Sequence, residues 1–328
     1  MSRLVTIFGG SGFVGRYIAW HMAREGWRVR VAVRRPNDAG FVRTFGVVGQ
    51  VEPVFCNIRD DASVRAVTQG AEAVINCVGT FDARGRNNFD SVQHLGAGRI
   101  ARIAAEHGVK RLVHISAIGA DAESESIYAR SKAAGEKAIL EQFPDAVILR
   151  PSVIFGPEDQ FFNRFAAMAR AAPVLPVIGA QTRFQPVYVD DVASAAVKGA
   201  LGQATPGIYE LGGPEVATFR ALMRDMLKVI HRRRLIVNLP FWLAGMMAWA
   251  GDMVQIVSGG LIRNGIVTRD QVRSLKVDNV VSDDARGFDT LGIDPVAPDA
   301  VLEEYLYRFR PGGQYDAIRN SASNLRKT

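Results

Sequence analysis

The sequence predicts an α/β fold, a doubly wound parallel sheet with a smaller mixed C-terminal lobe, and three observations carry that expectation. Short β-branched runs alternate with longer segments whose apolar residues recur every three or four positions, the pattern of buried strands and amphipathic helices. The alternation keeps intervals that suit right-handed strand–helix–strand crossovers. A glycine cluster over 9–15 closes the first apolar run and opens the first helical one.

The elements follow in chain order. Strands are expected over 4–8, 28–33, 52–55, 73–76, 111–115 and 146–149, with helices near 13–25, 62–69, 89–107 and 126–142. Each helical stretch gathers its apolar residues on one face, ready to cover a sheet. After Arg150 the alternation loosens, and Pro173, Pro176, Pro186, Pro206 and Pro214 punctuate shorter elements. The expected division is a core over 1–150 and a lobe over 151–328, partly interleaved with the core and joined without a linker.

Composition bounds the function classes. A chain of 328 residues with 48% apolar and 22% charged residues can bury a sizeable core and reads as soluble and globular. Its formal charge of +7 favours anionic partners without selecting one. Nucleic acid is set aside, because no recognised module and no basic stripe interleaved with aromatics is present. Cys56 and Cys77 lack any metal-ligand spacing, so no metal is expected and both read as buried thiols. The start at Met1-Ser2-Arg3 runs straight into the first strand, which leaves no room for a presequence and points to a reducing, cytoplasm-like compartment.

The motif Gly9-Gly10-Ser11-Gly12-Phe13-Val14-Gly15 carries the first chemistry. Its glycines permit a tight turn, close backbone approach to a pyrophosphate and close helix–strand packing, while the helix start offers free N–H groups and a positive dipole end. With a strand before it, a helix after it and a second strand about 20 residues on, this is the context of a Rossmann dinucleotide site. Gly9, Ser11, Gly12, Phe13 and Gly15 are the expected pyrophosphate contacts. An NAD-specific site ends the second strand on a carboxylate for the ribose 2′-hydroxyl; here the chain reads Val33-Arg34-Arg35-Pro36. Arg34 and Arg35 suit a 2′-phosphate, so the expected cofactor is NADP(H).

Tyr128 and Lys132 stand four apart on a predicted helix and therefore share a face. An ammonium beside a phenol favours phenolate, and with Ser116 as a donor to a carbonyl the three would support hydride transfer. Lys132 could equally bond the nicotinamide ribose and lock a cofactor in place.

Asn57-Ile58-Arg59-Asp60, Asn76-Cys77-Val78-Gly79, Ser116 and Tyr128-Ala129-Arg130-Ser131-Lys132, taken with the glycine motif, resemble the short-chain dehydrogenases/reductases of the extended or atypical kind. That resemblance implies Asn57 and Ile58 against adenine, Val78 and Gly79 near the ribose, and Pro151 among the cofactor contacts. It also implies Ser116, Tyr128 and Lys132 as a catalytic set, although a separation of twelve positions from Ser116 to Tyr128 is a shorter loop than in sugar-nucleotide epimerases. Further along, Tyr128 to Lys137, Pro151 to Ala166, Gln185 to Asp190 and Ile266 to Val272 are similar to the NADPH-binding Rossmann-type accessory subunits of respiratory complex I. In that family the dinucleotide is held tightly and is structural. The resemblance implies docking on peripheral-arm subunits near the quinone site, on the cytoplasmic side of the inner membrane.

One segment adds a physical hint. His231-Arg232-Arg233-Arg234 precedes an uncharged stretch over 235–251 that holds Trp242, Met246, Met247 and Trp249. Pro240 and Asp252 make it too short and broken to span a bilayer, which needs about 20 apolar residues, so no transmembrane helix is expected. The segment 231–253 suits contact with anionic lipid, and equally a helix capping the lobe's core. Three functions thus stay open on the sequence: a structural NADP(H)-binding subunit of complex I, a free-standing NADP-dependent reductase of a small carbonyl compound or quinone, and an NADPH-responsive regulatory binding protein.

Overall fold

β1 (Leu4–Phe8), β2 (Arg28–Val33), β3 (Val51–Phe55), β4 (Ala73–Asn76), β5 (Arg111–Ile115) and β6 (Val147–Pro151) lie in one seven-stranded sheet with the strand Gly207–Leu211. The computed structural model that displays it describes residues 3–80, 85–246, 248–249 and 268–315. The order across the sheet is Gly207–Leu211, β6, β5, β4, β1, β2, β3, and every neighbouring pair is parallel. Parallel strands covered on both faces bury every residue, and β4 does so along its whole length. The chain winds outward from β1 in one direction and then from β4 in the other, so the winding reverses between β1 and β4. Ligands of open α/β sheets enter at that switch point, beyond the carboxyl ends of the strands.

The helices of the core are α1 (Phe13–Arg24), α2 (Asp61–Thr68), α3 (Leu95–Glu106) and α4 (Ile127–Gln142). Two start on side-chain caps: Asp60 accepts from the Ser63 N–H at 3.0 Å and Ser126 from the Ala129 N–H at 3.3 Å. α1 starts on Gly12 with no side-chain cap, which leaves its first amides to another acceptor. The helix expected over 89–107 is divided, with a π turn at Asp90–His94 ahead of α3. Phe8, Val74, Ile100, Ile103, Leu112, Ile139 and Ile148 are the centre of one core cluster.

The chain forms two compact units. The first contains Met1–Ser152, Val189–Gly212 and Val281–Pro295. It therefore holds a helix, Val189–Leu201, and the seventh strand, Gly207–Leu211, that lie beyond the expected boundary at residue 150. The six-strand sheet expected from the sequence is corrected to seven. Gly207–Leu211 is short and follows a proline-punctuated stretch, and its pairing with Val147–Pro151 identifies it as a sheet member.

The second unit contains Val153–Tyr188, Gly213–Val280 and Val296–Thr328. Its strands come in pairs, Ile154–Phe155 with Val187–Tyr188, Arg183–Phe184 with Ala217–Thr218, and Val174–Ile178 with Leu235–Leu239. Phe155, Phe162, Leu175, Met223, Met226 and Leu306 are fully or almost fully buried at its centre. Asp159 ties the entry segment together by accepting from the N–H groups of Gly156, Phe161 and Asn163 and from the Tyr305 hydroxyl at 2.6 Å. Burial pushes its carboxyl up, and these four donors act against that shift. No helix among the described residues is long and apolar enough to cross a membrane. Of the segment 231–253, residues 247 and 250–253 lie outside the described residues, as do 266 and 267 of the similar stretch before Asp270.

Candidate functional site

The carboxyl ends of the parallel strands bring the expected residues to one edge of the first unit. Gly9 follows β1, Arg34 follows β2, Asn57 lies two beyond β3, Cys77-Val78-Gly79 follow β4, Ser116 follows β5 and Pro151 ends β6. At the switch point the two loops touch. A Cβ on Gly9 would stand 3.2 Å from Val78 Cγ2 and 3.3 Å from the Cys77 carbonyl, and Gly9 has φ +75°, a conformation that favours glycine.

The other two glycines of the motif differ in what holds them. A Cβ on Gly15 would meet the Gly9 carbonyl oxygen and lie 2.7 Å from Gly10 Cα, both backbone, so α1 packs on the β1 turn with no room for a side chain. Gly12 has φ −71° and is exposed, and a Cβ there would meet the Gly9 oxygen alone, at 3.1 Å. The positive φ belongs to Gly9, and Gly12 needs none. An exposed, uncapped helix start with room above it fits a pyrophosphate, whose oxygens accept from the first helical amides. Ser11 and Phe13 are half-buried on either side.

Arg34 and Arg35 are both exposed after β2, where a 2′-phosphate would be read. Arg35 makes a loose pair with Asp38 at 3.8 Å, its side chain 84% exposed, an arrangement that holds little free energy against a doubly charged phosphate. Sequence reasoning missed Arg16. It stands one residue after the last motif glycine, within reach of the Ser11 and Gly12 carbonyls at 3.3 Å, and its guanidinium stacks on Phe41 at 5.0 Å. Its position directly after Gly15 was the available signal. Asn57 shapes the turn after β3 by accepting from the Arg59 N–H at 3.2 Å, while Ile58 packs on Gly96 of α3.

α4 carries Tyr128 and Lys132. Lys132 is 5% exposed and donates to the Ile115 carbonyl at 3.1 Å, with Nζ 6.0 Å from the Tyr128 ring centroid. Its ammonium is also the nearest group to the position a Cβ on exposed Gly79 would take, at 4.0 Å, so the turn after β4 and α4 converge. Phe89 packs edge-on against Tyr128 at 5.9 Å. The expectation that Lys132 lowers the tyrosine is corrected here: burial pushes the phenol up to about 12, and burial pushes the lysine down to about 8. Desolvation is the leading cause in both, so the phenol is a proton-bearing group at neutral pH. Burial likewise raises the Cys77 thiol to about 12 and the Cys56 thiol to about 11, which leaves both unreactive.

Ser116 follows β5 and turns its hydroxyl into the protein. It is 4% exposed, and its hydroxyl donates to Glu136 Oε1, four residues beyond Lys132 on α4. Glu136 in turn takes a bidentate pair from Arg150, at 2.9 and 2.6 Å, and Arg150 Nη1 lies 3.5 Å from Glu210 Oε1. Glu136 and Arg150 were not singled out as site residues from the sequence. The i, i+4 relation of Glu136 to Lys132 was visible, but its two partners, Ser116 after β5 and Arg150 in β6, are 20 and 14 residues away in the chain. The edge can thus hold a dinucleotide and present a phenol, and the serine's hydroxyl is committed to a buried ion-pair network.

Known proteins resemble this chain in sequence and in fold. A model of the NAD dependent epimerase/dehydratase family matches residues 5–212. NADH dehydrogenase (ubiquinone) 1 alpha subcomplex subunit 9, mitochondrial, of Arabidopsis thaliana is 37% identical over 316 residues, covering 94% of this chain and 79% of that one. A protein named ceramide reductase from Caulobacter vibrioides is 33% identical over 241 residues, 72% of this chain and 74% of its own. Among solved structures, that of gox2253 superimposes with a TM-score of 0.71 at 20% identity, over 95% of this chain and 99% of that one, a likeness of fold.

Proposed function

The chain belongs to the NAD dependent epimerase/dehydratase family, and from that premise we propose that it is an accessory subunit of respiratory complex I that holds NADP(H) as a structural cofactor. The observation that carries this reading is the identity to a complex I subunit over 94% of the chain, through both compact units. The site's chemistry is in keeping with it. A bound nicotinamide dinucleotide would supply a hydride donor or acceptor at the switch point. The residues that would hold it are Gly9, Ser11, Gly12, Phe13 and Gly15 at the pyrophosphate, Arg34 and Arg35 at the 2′-phosphate, Asn57 and Ile58 at adenine, and Val78, Gly79, Lys132 and Pro151 toward the nicotinamide end. Ser116 is committed to Glu136, which favours retention over turnover, whereas Tyr128 keeps the proton that a carbonyl reduction would need. A ligand that binds the folded state alone adds about 4 kcal/mol when present a thousandfold above its dissociation constant, which matters for a marginally stable chain.

In this reading the subunit docks on the peripheral arm near the quinone site, at the cytoplasmic face of the inner membrane. A reductase is the second reading, favoured by the neighbouring Tyr128 and Lys132 and by the relative named ceramide reductase. Mass spectrometry of the protein drawn from its native membrane separates the two. Recovery with complex I subunits and retained NADP(H) is the expected result; a chain recovered free of them that oxidises NADPH in steady state with a carbonyl substrate overturns it.

Cofactor choice has its own test. Replacing Arg34 and Arg35 together by Ala is expected to weaken NADPH by about a hundredfold or more in calorimetry, because charge-assisted bonds contribute about 1.5–3 kcal/mol each. NADH, which lacks the 2′-phosphate, should bind nearly as before. Equal losses for both would remove the two arginines from the site.

A further inference from the structure

The second unit has a concave surface of its own. Residues 241–246, which are helical, and the helix Arg269–Ser274 border a groove of ≈ 550 Å³. Its floor is apolar, with Phe241 and Val272 in a small cluster with Ala244, Ala248 and Ile178. Its rim is cationic, with Arg269, Arg273 and Lys276 all exposed. Arg269 and Arg273 are one turn apart and so share a face. Asp270 lies on the same helix outside the lining. A capping box fixes the helix start, Thr268 accepting from the Gln271 N–H at 3.2 Å and Gln271 from the Thr268 N–H at 3.1 Å, so the backbone that carries Arg269 and Arg273 is set. Trp242 lines the groove with 67% of its surface exposed, and Met246 and Trp249 of the same stretch are 54% and 50% exposed.

Apolar floor, cationic rim and exposed indole define the chemistry of an occupant. An acidic peptide would answer the cations and leave the floor wet. A neutral apolar segment would cover the floor and strand the charges. An anionic phospholipid answers both, its phosphate oxygens on the guanidinium and ammonium groups and its first acyl carbons on the floor. Tryptophan is at home at that boundary of water and hydrocarbon.

We propose that this groove binds the headgroup and adjoining acyl segment of an anionic phospholipid, so that the Trp242 face of the second unit rests on a membrane surface. The biological setting rests on the complex I reading, whereas the groove is tested with the isolated full-length chain. Binding is measured to vesicles of phosphatidylcholine alone and to vesicles of phosphatidylcholine and phosphatidylglycerol in equal amounts. The chain should prefer the anionic vesicles and shift its tryptophan emission to the blue on binding, a shift much reduced in Trp242→Ser. Arg269→Glu with Lys276→Glu should weaken that binding by about tenfold or more, since each cation near an anionic surface contributes about 1 kcal/mol. The control pair Arg43→Glu with Arg224→Glu, equally exposed and of equal charge change, should stay within about threefold. No preference of the wild type for anionic vesicles, or equal losses in the two pairs, overturns the proposal. A chain that passes these tests yet leaves its native membrane without complex I keeps the groove and loses the assignment.

Discussion

Gly15→Val is expected to prevent folding of the first unit, while Gly12→Val folds and loses its dinucleotide. The two glycines belong to one motif and have different neighbours. A Cβ on Gly15 would meet the Gly9 carbonyl and stand 2.7 Å from Gly10 Cα, both backbone atoms of the turn that leaves β1. β1 lies between β2 and β4 and cannot retreat. Overpacking typically costs about 1–3 kcal/mol where side chains give way, and more is expected where backbone must move, against a total stability of about 5–15 kcal/mol. Gly12 has an extended backbone, is exposed and meets one atom at 3.1 Å, so valine there should lower stability by about 1 kcal/mol through the lost helix start. Its branched side chain would occupy the space over the α1 amides. Circular dichroism melts and calorimetric titration with NADPH read the two outcomes separately. A Gly12→Val protein that still takes up the dinucleotide would move the pyrophosphate elsewhere, and a Gly15→Val protein melting like the wild type would refute the close approach of α1 to β1.

The second large effect is expected at Glu136, where Ala should destabilise the chain by about 3–5 kcal/mol. The carboxylate is buried, accepts the Ser116 hydroxyl and holds Arg150 by two bonds; its removal leaves a guanidinium, 20% exposed at the side chain, with the more distant Glu210. Breaking a buried pair on one side strands a charge, which is why the cost exceeds that of a neutral hydrogen bond. Ser116→Ala removes one bond to the same carboxylate and should cost about 1–2 kcal/mol without releasing bound dinucleotide. Urea unfolding of both variants gives the comparison. If Ser116→Ala leaves stability unchanged and abolishes a carbonyl-reducing activity, the serine is catalytic and the network reading fails.

Much of this protein was legible in its sequence because the signals are local. Strand and helix periods placed five of the six expected strands within one residue at each end, and the sixth, β6, extends two residues further. The glycine motif and the Tyr128–Lys132 spacing could be put on a turn and a helix face before any tertiary contact was known. Arg34 and Arg35 could be set directly after the strand that ends at Val33. These features depend on φ/ψ preference and on which face a residue occupies, and both are written in neighbouring residues.

What only the tertiary structure decided depends on residues far apart in the chain. Gly207–Leu211 becomes the edge of the sheet by pairing with a strand some 60 residues earlier. Ser116 is committed by Glu136, 20 residues on, and Glu136 by Arg150. The tyrosine that a nearby lysine should activate is pushed the other way, because desolvation is a property of the packed interior and has no counterpart in the spacing of two residues. The groove over Val272 exists because residues 241–246 and Arg269–Ser274 meet across a long stretch of chain. Local periodicity specifies elements and their faces, whereas charge state and hydrogen-bond commitment are set by which distant groups share the removal of water, and that is known once the chain has closed on itself.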